Sequence, residues 1–178
     1  KENLTSEQIN KIRKDLTVKP YVNASFGAEA VPFAIYMESK RKLYLPRYYG
    51  IKEFGFPSKF RINKGTEISM NFTGSLKDKQ LPIVSAFQEA IKDKYIGGGI
   101  ISVPCGYGKT VLALYLASKL KLKTLVIVHK EFLMNQWKER IEQFIPGAKV
   151  GRIQRKNIIT EGCDIVIGLL QSISMIEY

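Results

Sequence analysis

The sequence predicts an α/β protein in which a parallel sheet covered by helices follows a small β-rich (α+β) domain. Beyond Gly74, short Val- and Ile-rich runs alternate with helical patterns, as in parallel sheets covered on both faces. Before Gly74, short aromatic runs are separated by Gly and Pro, which is typical of small β-rich domains. The chain has 178 residues and is 45% hydrophobic, enough for a packed core.

The first 73 residues are predicted to begin with a helix over 6–15. Thr5 and Gln8 have the spacing of a capping box, and Leu4 and Ile9 that of a hydrophobic staple. Strands are expected at 33–37, 42–45 and 68–72, the first two as a hairpin.

Residues 74–178 are predicted to form the second domain. Apolar residues recurring every four positions predict a helix from about Asp78 to Asp93. Further elements are expected as strands at 99–103, 124–128 and 164–167 and as helices at 111–117 and 131–144.

Residues 103–110 read VPCGYGKT and join the strand at 99–103 to the next helix. At that place backbone N–H groups and the helix dipole both favour an anion, and glycine lets the main chain approach it. Lys109 is expected to reach the β and γ phosphates of a nucleoside triphosphate, and the Thr110 hydroxyl to ligate Mg²⁺. Val103 departs from the usual first glycine of the motif. The predicted nucleotide-binding positions are Pro104, Cys105, Gly106, Tyr107, Gly108, Lys109 and Thr110.

Other polar residues are predicted around this loop. Gln80 begins the helix before the loop strand, and its amide suits the edge of adenine. The remaining candidates follow two strands, at the carboxyl edge of the sheet where ligands bind in open α/β folds. They are His129, Lys130, Gln171 and Ser172.

Charge and cysteine content limit the partners and the compartment. The net charge is +12, and residues 1–73 and 74–178 each contribute +6, so the whole surface should attract polyanions such as nucleic acid. Lysine retained for solubility is the alternative. Two cysteines indicate a reducing compartment, and no apolar run approaches a membrane span. Because the chain begins at Lys1 without methionine, we interpret it as a fragment.

These motifs together resemble superfamily 2 helicases, in the group of XPB-type transcription and repair helicases and helicases of large DNA viruses. The resemblance covers roughly residues 74–178. The matching segments are the glutamine motif at 76–80, motif I at 104–110, motif Ia at 126–137 with Gln136-Trp137, and the nucleic-acid-contacting segment at 168–172. Departures from the pattern are Lys79, Cys105 and Leu169.

The resemblance implies an incomplete RecA-like domain that uses ATP and Mg²⁺ to move along nucleic acid, DNA more than RNA. It implies nucleic-acid contacts at His129, Lys130, Gln136, Gln171 and Ser172. Transcription or repair proteins are the implied partners, in cytoplasm, nucleus or a viral factory.

The amino-terminal domain, 1–73, resembles viral members most at 45–50, which implies an accessory role in engaging duplex DNA. The family's Asp-Glu motif and second RecA-like lobe lie outside these residues. We therefore expect the chain alone to bind nucleotide weakly and not to hydrolyse it.

Two other function classes stay open from the residues alone. Another P-loop NTPase, such as a kinase, would explain Lys109 but gives no role to Gln80 or Gln136-Trp137. A non-catalytic nucleic-acid-binding module with a vestigial P-loop would explain the charge.

Overall fold

A computed structural model describes residues 1, 3–21, 30–92 and 97–176. The chain divides into two compact units, Lys1–Arg61 and Ile62–Tyr178. The division precedes the predicted boundary at 73/74 because residues 66–73 bond to the second unit. The amides of Lys123 and Thr73, for example, take part in hydrogen bonds with Thr66 and Phe144.

The first unit combines two helices with two short antiparallel strand pairs. Helix α1 has its predicted bounds and capping box, in which Thr5 and Gln8 exchange hydrogen bonds. Its second helix, α2, was not predicted, and none of its side chains is buried. The elements are α1 (Ser6–Asp15), β1 (Thr17–Val18), β2 (Phe33–Ala34), β3 (Met37–Glu38), β4 (Leu43–Tyr44) and α2 (Arg47–Phe54).

The predicted hairpin is confirmed only in its inner part. Strand β3 pairs with β4 around a turn that Ser39 stabilises by accepting the Lys42 amide proton. Strand β2 pairs instead with β1, directly after α1. The reason is that Ile35 donates its amide proton to the Leu16 carbonyl at the end of α1.

Side-chain pairs tie α1 to the rest of the first unit. Arg13 and Lys1 both pair with Glu38 on β3, and these hydrogen bonds, Arg13 first, lower the pKa of the Glu38 carboxyl to about 2. The Tyr49 hydroxyl donates to Asp15 at 3.0 Å, and its pKa is raised, first by desolvation and then by that carboxylate. Helices α1 and α2 are thereby joined by a hydrogen bond between their side chains.

The second unit has a four-stranded sheet with helices around it. The strand order is β5-β8-β6-β7, in which the first three strands are parallel and β7 is antiparallel to β6. This confirms the predicted α/β class. The elements are a 3₁₀ helix (Asp78–Gln80), α3 (Leu81–Ile91), α4 (Lys109–Leu120), β5 (Thr124–Val128), α5 (Glu131–Phe144), β6 (Val150–Gln154), β7 (Asn157–Ile159), β8 (Ile165–Leu169) and α6 (Leu170–Ser174).

The predicted helix and strand positions in this unit are largely confirmed. Strand β5 and helix α5 have the expected bounds, and the strand predicted at 164–167 extends to Leu169. The helix predicted from Asp78 opens with a 3₁₀ turn before Pro82, and its expected end at Asp93 lies outside the described residues. The β6–β7 hairpin and α6 were not predicted.

The main core lies between the sheet and helices α4 and α5. Its fully buried members include Leu114, Ile141, Ile165 and Ile167. Met70 is buried in the same core, and Phe72 stacks on Phe144 at 5.5 Å between ring centroids. The segment 66–73 therefore belongs physically to this unit.

Two predicted strands are wrong. Residues 68–72 are not a strand, because backbone pairing in this segment is confined to the Glu67–Leu122 bridge and bonds such as Ile68 to Lys121. Residues 99–103 pair with no strand among the described residues, so their backbone lacks the ladder that defines a strand. Ile101 still packs on a small core of Val84, Leu112 and Leu116, while Ile100 is 96% exposed.

Within the described ranges, no helix combines the length and apolarity that a bilayer crossing requires.

Candidate nucleotide-binding site

The glycine-rich loop ends directly at the first residue of α4. Gly108 is the N-cap, in the left-handed conformation with φ 86° and ψ 39°, and provides no side-chain cap. The Leu112 amide donates to the Gly108 carbonyl at 2.9 Å and closes the first turn. The amides of the first turn have no partner within a helix, so this end of α4 presents N–H groups and a positive dipole end to a ligand.

Both glycines of the loop have backbone conformations that L-residues avoid. Gly106 has φ 75°, and a Cβ added there would meet nothing within 4 Å. A Cβ on Gly108 would lie 2.6 Å from Nε2 of Gln80. Gly106 is therefore required by conformation alone, whereas Gly108 is required by conformation and by space.

The Gln80 side chain is buried and bonded to the backbone of the glycine loop. It is 4% exposed, and its Nε2 donates to the Tyr107 carbonyl at 2.9 Å. Its Oε1 accepts the Lys77 amide proton at 2.9 Å, which also closes the 3₁₀ turn. Both ends of the amide are thus engaged with backbone. Its predicted contact with adenine stays a prediction.

Lys79 and Tyr107 form a second brace between the same two segments. The Lys79 ammonium lies 4.4 Å from the centroid of the Tyr107 ring, and the Tyr107 hydroxyl donates to the Lys79 carbonyl at 3.5 Å. A cation above an aromatic face is attracted by the ring quadrupole. The position where Lys79 departs from the helicase pattern therefore has a local structural role.

Lys109 and Thr110 are the first two residues of α4. The Lys109 ammonium donates to the Pro104 carbonyl at 2.9 Å, so its side chain folds back across the loop. Lys109 and Cys105 are exposed, and Thr110 is half-buried. The predicted nucleotide-binding residues 104–110 therefore form one loop and the start of α4, and the Gln80 side chain is hydrogen-bonded to that loop.

A second group of predicted residues meets at the carboxyl edge of the sheet. The Gln171 amide donates to the His129 carbonyl at 3.0 Å, which joins the ends of β8 and β5. The Ser172 hydroxyl is 8% exposed and accepts the Arg155 amide proton at 2.8 Å. His129, Gln171 and Ser172 also line one cavity of about 520 Å³. The structure thus brings these three together.

Lys130 and Gln136 are less closely associated with that edge. Lys130 is the N-cap of α5 and its ammonium lies 5.9 Å from the Phe132 ring centroid. Gln136 is exposed on α5 and does not line the cavity. Their nucleic-acid contacts stay predictions.

A protein-family comparison matches residues 73–177 to the model of the type III restriction enzyme, res subunit. This match spans more than half of the chain and includes both groups of site residues.

The chain belongs to this family.

Several proteins that are similar in sequence to this chain are named as helicases or translocases. The chain is 33% identical, over 98% of its own length and 34% of the relative's, to a provisionally named ATP-dependent RNA helicase of Acanthamoeba polyphaga mimivirus. A provisionally named helicase of Invertebrate iridescent virus 6 is 44% identical over 46% of the chain and 18% of its own length. A DNA 3'-5' translocase of Sulfurisphaera tokodaii is 35% identical over 49% of the chain and 21% of its own length. These relatives confirm the resemblance to superfamily 2 helicases, and the chain spans less than half of each.

Three basic residues at the two sites of the res-subunit domain were not predicted from sequence. Lys79 was predicted only to depart from the helicase pattern. It directly precedes Gln80, and its ammonium lies over the Tyr107 ring of the loop. Arg155 and Lys156 went unnoticed because the β6–β7 hairpin was not predicted. Two adjacent basic residues between apolar runs were the available signal.

Proposed function

We propose that this chain is the ATP-binding portion of an ATP-dependent nucleic-acid helicase, in which ATP hydrolysis drives unwinding or remodelling of duplex DNA. One observation carries the proposal: the glycine loop is braced by Gln80 and leads into the uncapped amino terminus of α4. That arrangement, in a chain of this family, fits a bound triphosphate. The names of the relatives, helicases and translocases, support the same activity.

The residues of the loop suit the phosphates of ATP. First-turn amides of α4 and the positive φ of Gly106 and Gly108 leave backbone donors open to an anion. Lys109 would exchange its bond with the Pro104 carbonyl for the β and γ phosphates. The present bond joins a charged donor to a neutral carbonyl, whereas a bond to phosphate would add the attraction between opposite charges, so the exchange is favourable.

Mg²⁺ is proposed to bind with the nucleotide through Thr110. A hydroxyl oxygen is a hard ligand of the kind Mg²⁺ prefers, and this ion commonly keeps several waters and shares the substrate's phosphates. Thr110 is half-buried at the second position of α4, next to Lys109. The donor set of this chain therefore fits a metal held mainly by the nucleotide, which would offset the charge of the phosphates.

The proposed nucleic-acid surface is the carboxyl edge of the sheet, with His129, Lys130, Gln136, Gln171 and Ser172. The net charge of +12 supports a polyanionic partner, and contacts to phosphates would give little sequence preference. DNA is proposed over RNA because several relatives are named as DNA translocases or repair helicases, although one is named an RNA helicase. Another is named a subunit of a transcription and repair factor, which supports such machinery as the partner.

The role of residues 1–73 is proposed as an accessory domain that helps engage duplex DNA. Arg47 is placed 5.3 Å from the Phe60 ring centroid, and Tyr48 is 55% exposed on α2. Exposed aromatic and basic side chains together are typical of surfaces that bind nucleic acid. We also propose an intracellular reducing compartment, since both cysteines are free thiols.

The test is an ATPase and strand-separation assay on a protein of the relatives' length that carries this chain. We expect DNA-stimulated hydrolysis and unwinding, both abolished by Lys109→Ala. The isolated 178 residues are expected to show no turnover. The proposal would be contradicted by ATP hydrolysis at the same rate with and without nucleic acid, or by hydrolysis that persists in the Lys109→Ala variant.

A further inference from the structure

The cavity at the carboxyl edge of the sheet has a basic side that none of the predicted residues provides. It is lined by His129, Glu131, Arg155, Lys156, Leu169, Gln171, Ser172, Met175 and Ile176. Glu131 is the one acidic side chain of this lining, which also contains the basic residues Arg155 and Lys156. The lining thus combines donors and positive charge with three apolar side chains, a mixture that suits a nucleotide unit better than a purely ionic ligand.

The two cations lie in the two-residue turn of the β6–β7 hairpin. Gln154 and Asn157 are the last paired residues, so Arg155 and Lys156 form the turn between them. Arg155 has φ 53°, in the left-handed region where glycine is usual in hairpin turns. An arginine at this position is one of two described non-glycine residues with positive φ.

The turn is held against the sheet edge by a buried side chain. The Ser172 hydroxyl accepts the Arg155 amide proton at 2.8 Å, and Ser172 is 8% exposed. The neighbouring Gln171 is bonded to the His129 carbonyl. Hydrogen bonds therefore connect the ends of β5 and β8 with the hairpin turn, and the cationic pair is presented from a supported backbone.

We propose that Arg155 and Lys156 bind successive phosphates of a single-stranded nucleic acid whose adjoining base contacts the apolar side of this cavity. Met175 is 85% exposed at that side, next to half-buried Leu169. Arginine and lysine are the usual phosphate ligands, and Leu, Ile and Met side chains contact the faces of unstacked bases in other nucleic-acid complexes. This inference rests on the proposed function, because it names how the strand is held at the same edge.

The inferred role of Ser172 is positioning of this turn. Its hydroxyl oxygen accepts the Arg155 amide proton, and the residue is largely buried, so its main part at this surface is to hold the turn. Ser172→Ala should weaken strand binding while leaving the number of neutralised phosphates unchanged. The salt dependence of binding separates these two effects, since it counts phosphate contacts.

The experiment measures fluorescence anisotropy of a labelled 20-nucleotide oligo-dT with the full 178-residue chain from 50 to 200 mM NaCl. The test variant is Arg155→Gly with Lys156→Gln. Glycine tolerates the positive φ of position 155, so the variant keeps the turn. Its dissociation constant should rise at least fivefold, and the slope of log affinity against log salt should shrink by about 1.4, at about 0.7 per phosphate.

The matched control is Lys121→Gly with Lys123→Gln. Lys121 is the other non-glycine residue with positive φ, so this control removes the same charge and relaxes the same kind of backbone position. Both lysines precede β5 and lie at the opposite end of that strand from His129. The control should keep the wild-type slope, and Arg155→Lys with Lys156→Arg should restore binding.

Four outcomes would overturn the inference. If the test variant and the wild type have the same slope of log affinity against log salt, Arg155 and Lys156 do not contact phosphates. If the test and control variants lose the same affinity, the effect comes from net charge and not from these two residues. Displacement of the oligonucleotide by polyglutamate as readily as by unlabelled DNA would assign the cavity to an acidic protein. The assay contains no nucleotide, so it reports strand binding separately from the nucleotide site. A wild-type chain that binds no DNA would overturn this inference, whereas the proposed function is judged on the longer protein.

Discussion

Gly108→Ala perturbs the contact between the glycine loop and Gln80. The new Cβ would lie 2.6 Å from Gln80 Nε2, while φ remains at 86°. Holding alanine in a left-handed conformation costs about 1–2 kcal/mol. Displacing the Gln80 amide also loses its bond to the Tyr107 carbonyl and leaves a buried donor, at about 1–3 kcal/mol. We therefore expect destabilisation of about 2–5 kcal/mol.

Gly106→Ala is the matched comparison. Gly106 has φ 75° but open space around its Cα, so alanine there should cost only the conformational part, about 1–2 kcal/mol. In a Gln80→Ala background the clash disappears, and Gly108→Ala should then cost no more than Gly106→Ala. The coupling between positions 80 and 108 should be about 1–3 kcal/mol, within the range of contacting residues.

The assay is urea unfolding followed by Trp137 fluorescence. Trp137 is the single tryptophan of the chain and packs on the core of the second unit, so its signal reports that unit. Equal costs for the two glycine replacements, or a Gly108→Ala cost that does not change when Gln80 is removed, would refute the reasoning.

Two further predictions concern other parts of the chain. Glu38→Gln should destabilise the first unit at neutral pH. Because the pKa of Glu38 is lowered from 4.5 to about 2, its ionised carboxylate contributes fully to folding stability above pH 4.5. This contribution decreases as the pH falls toward 2. Thermal unfolding by circular dichroism should therefore differ between variant and wild type at pH 7 and converge near pH 2; a constant difference would contradict the ion pairs with Arg13 and Lys1. Gly151→Ala should cost about 1–3 kcal/mol or more, since its Cβ would lie 2.2 Å from the Ile159 carbonyl oxygen across the hairpin. Trp137 fluorescence in urea checks this, and a neutral result would contradict the close approach of β6 and β7.

Elements with a strong periodic pattern and a clear boundary could be predicted from sequence. Helix α1 begins at a capping box, and β5 and α5 are separated by the polar pair His129-Lys130. Helix α2 could not be predicted, because it buries no side chain and contains Tyr48, Tyr49 and Gly50, which favour other structures. Weak amphipathicity leaves only tertiary context to specify it.

Local sequence did not show which strands pair with one another in the sheet. The apolar run at 99–103 has strand composition, yet it finds its contacts on α3 and α4 rather than in the sheet. The β6–β7 hairpin turns at Arg155-Lys156, where the usual glycine or asparagine signal is missing. Consequently the glycine loop was located from its residues alone, whereas the basic side of the edge cavity required the structure.

The most direct test of the central claim is calorimetric titration of MgATP into the chain and into its Lys109→Ala variant. The wild type should bind one nucleotide weakly and saturably. Loss of the Lys109 ammonium should weaken binding at least tenfold, equivalent to about 1.4 kcal/mol. Equal affinity for MgATP in the two proteins would contradict assignment of the loop at 103–110 as the nucleotide site.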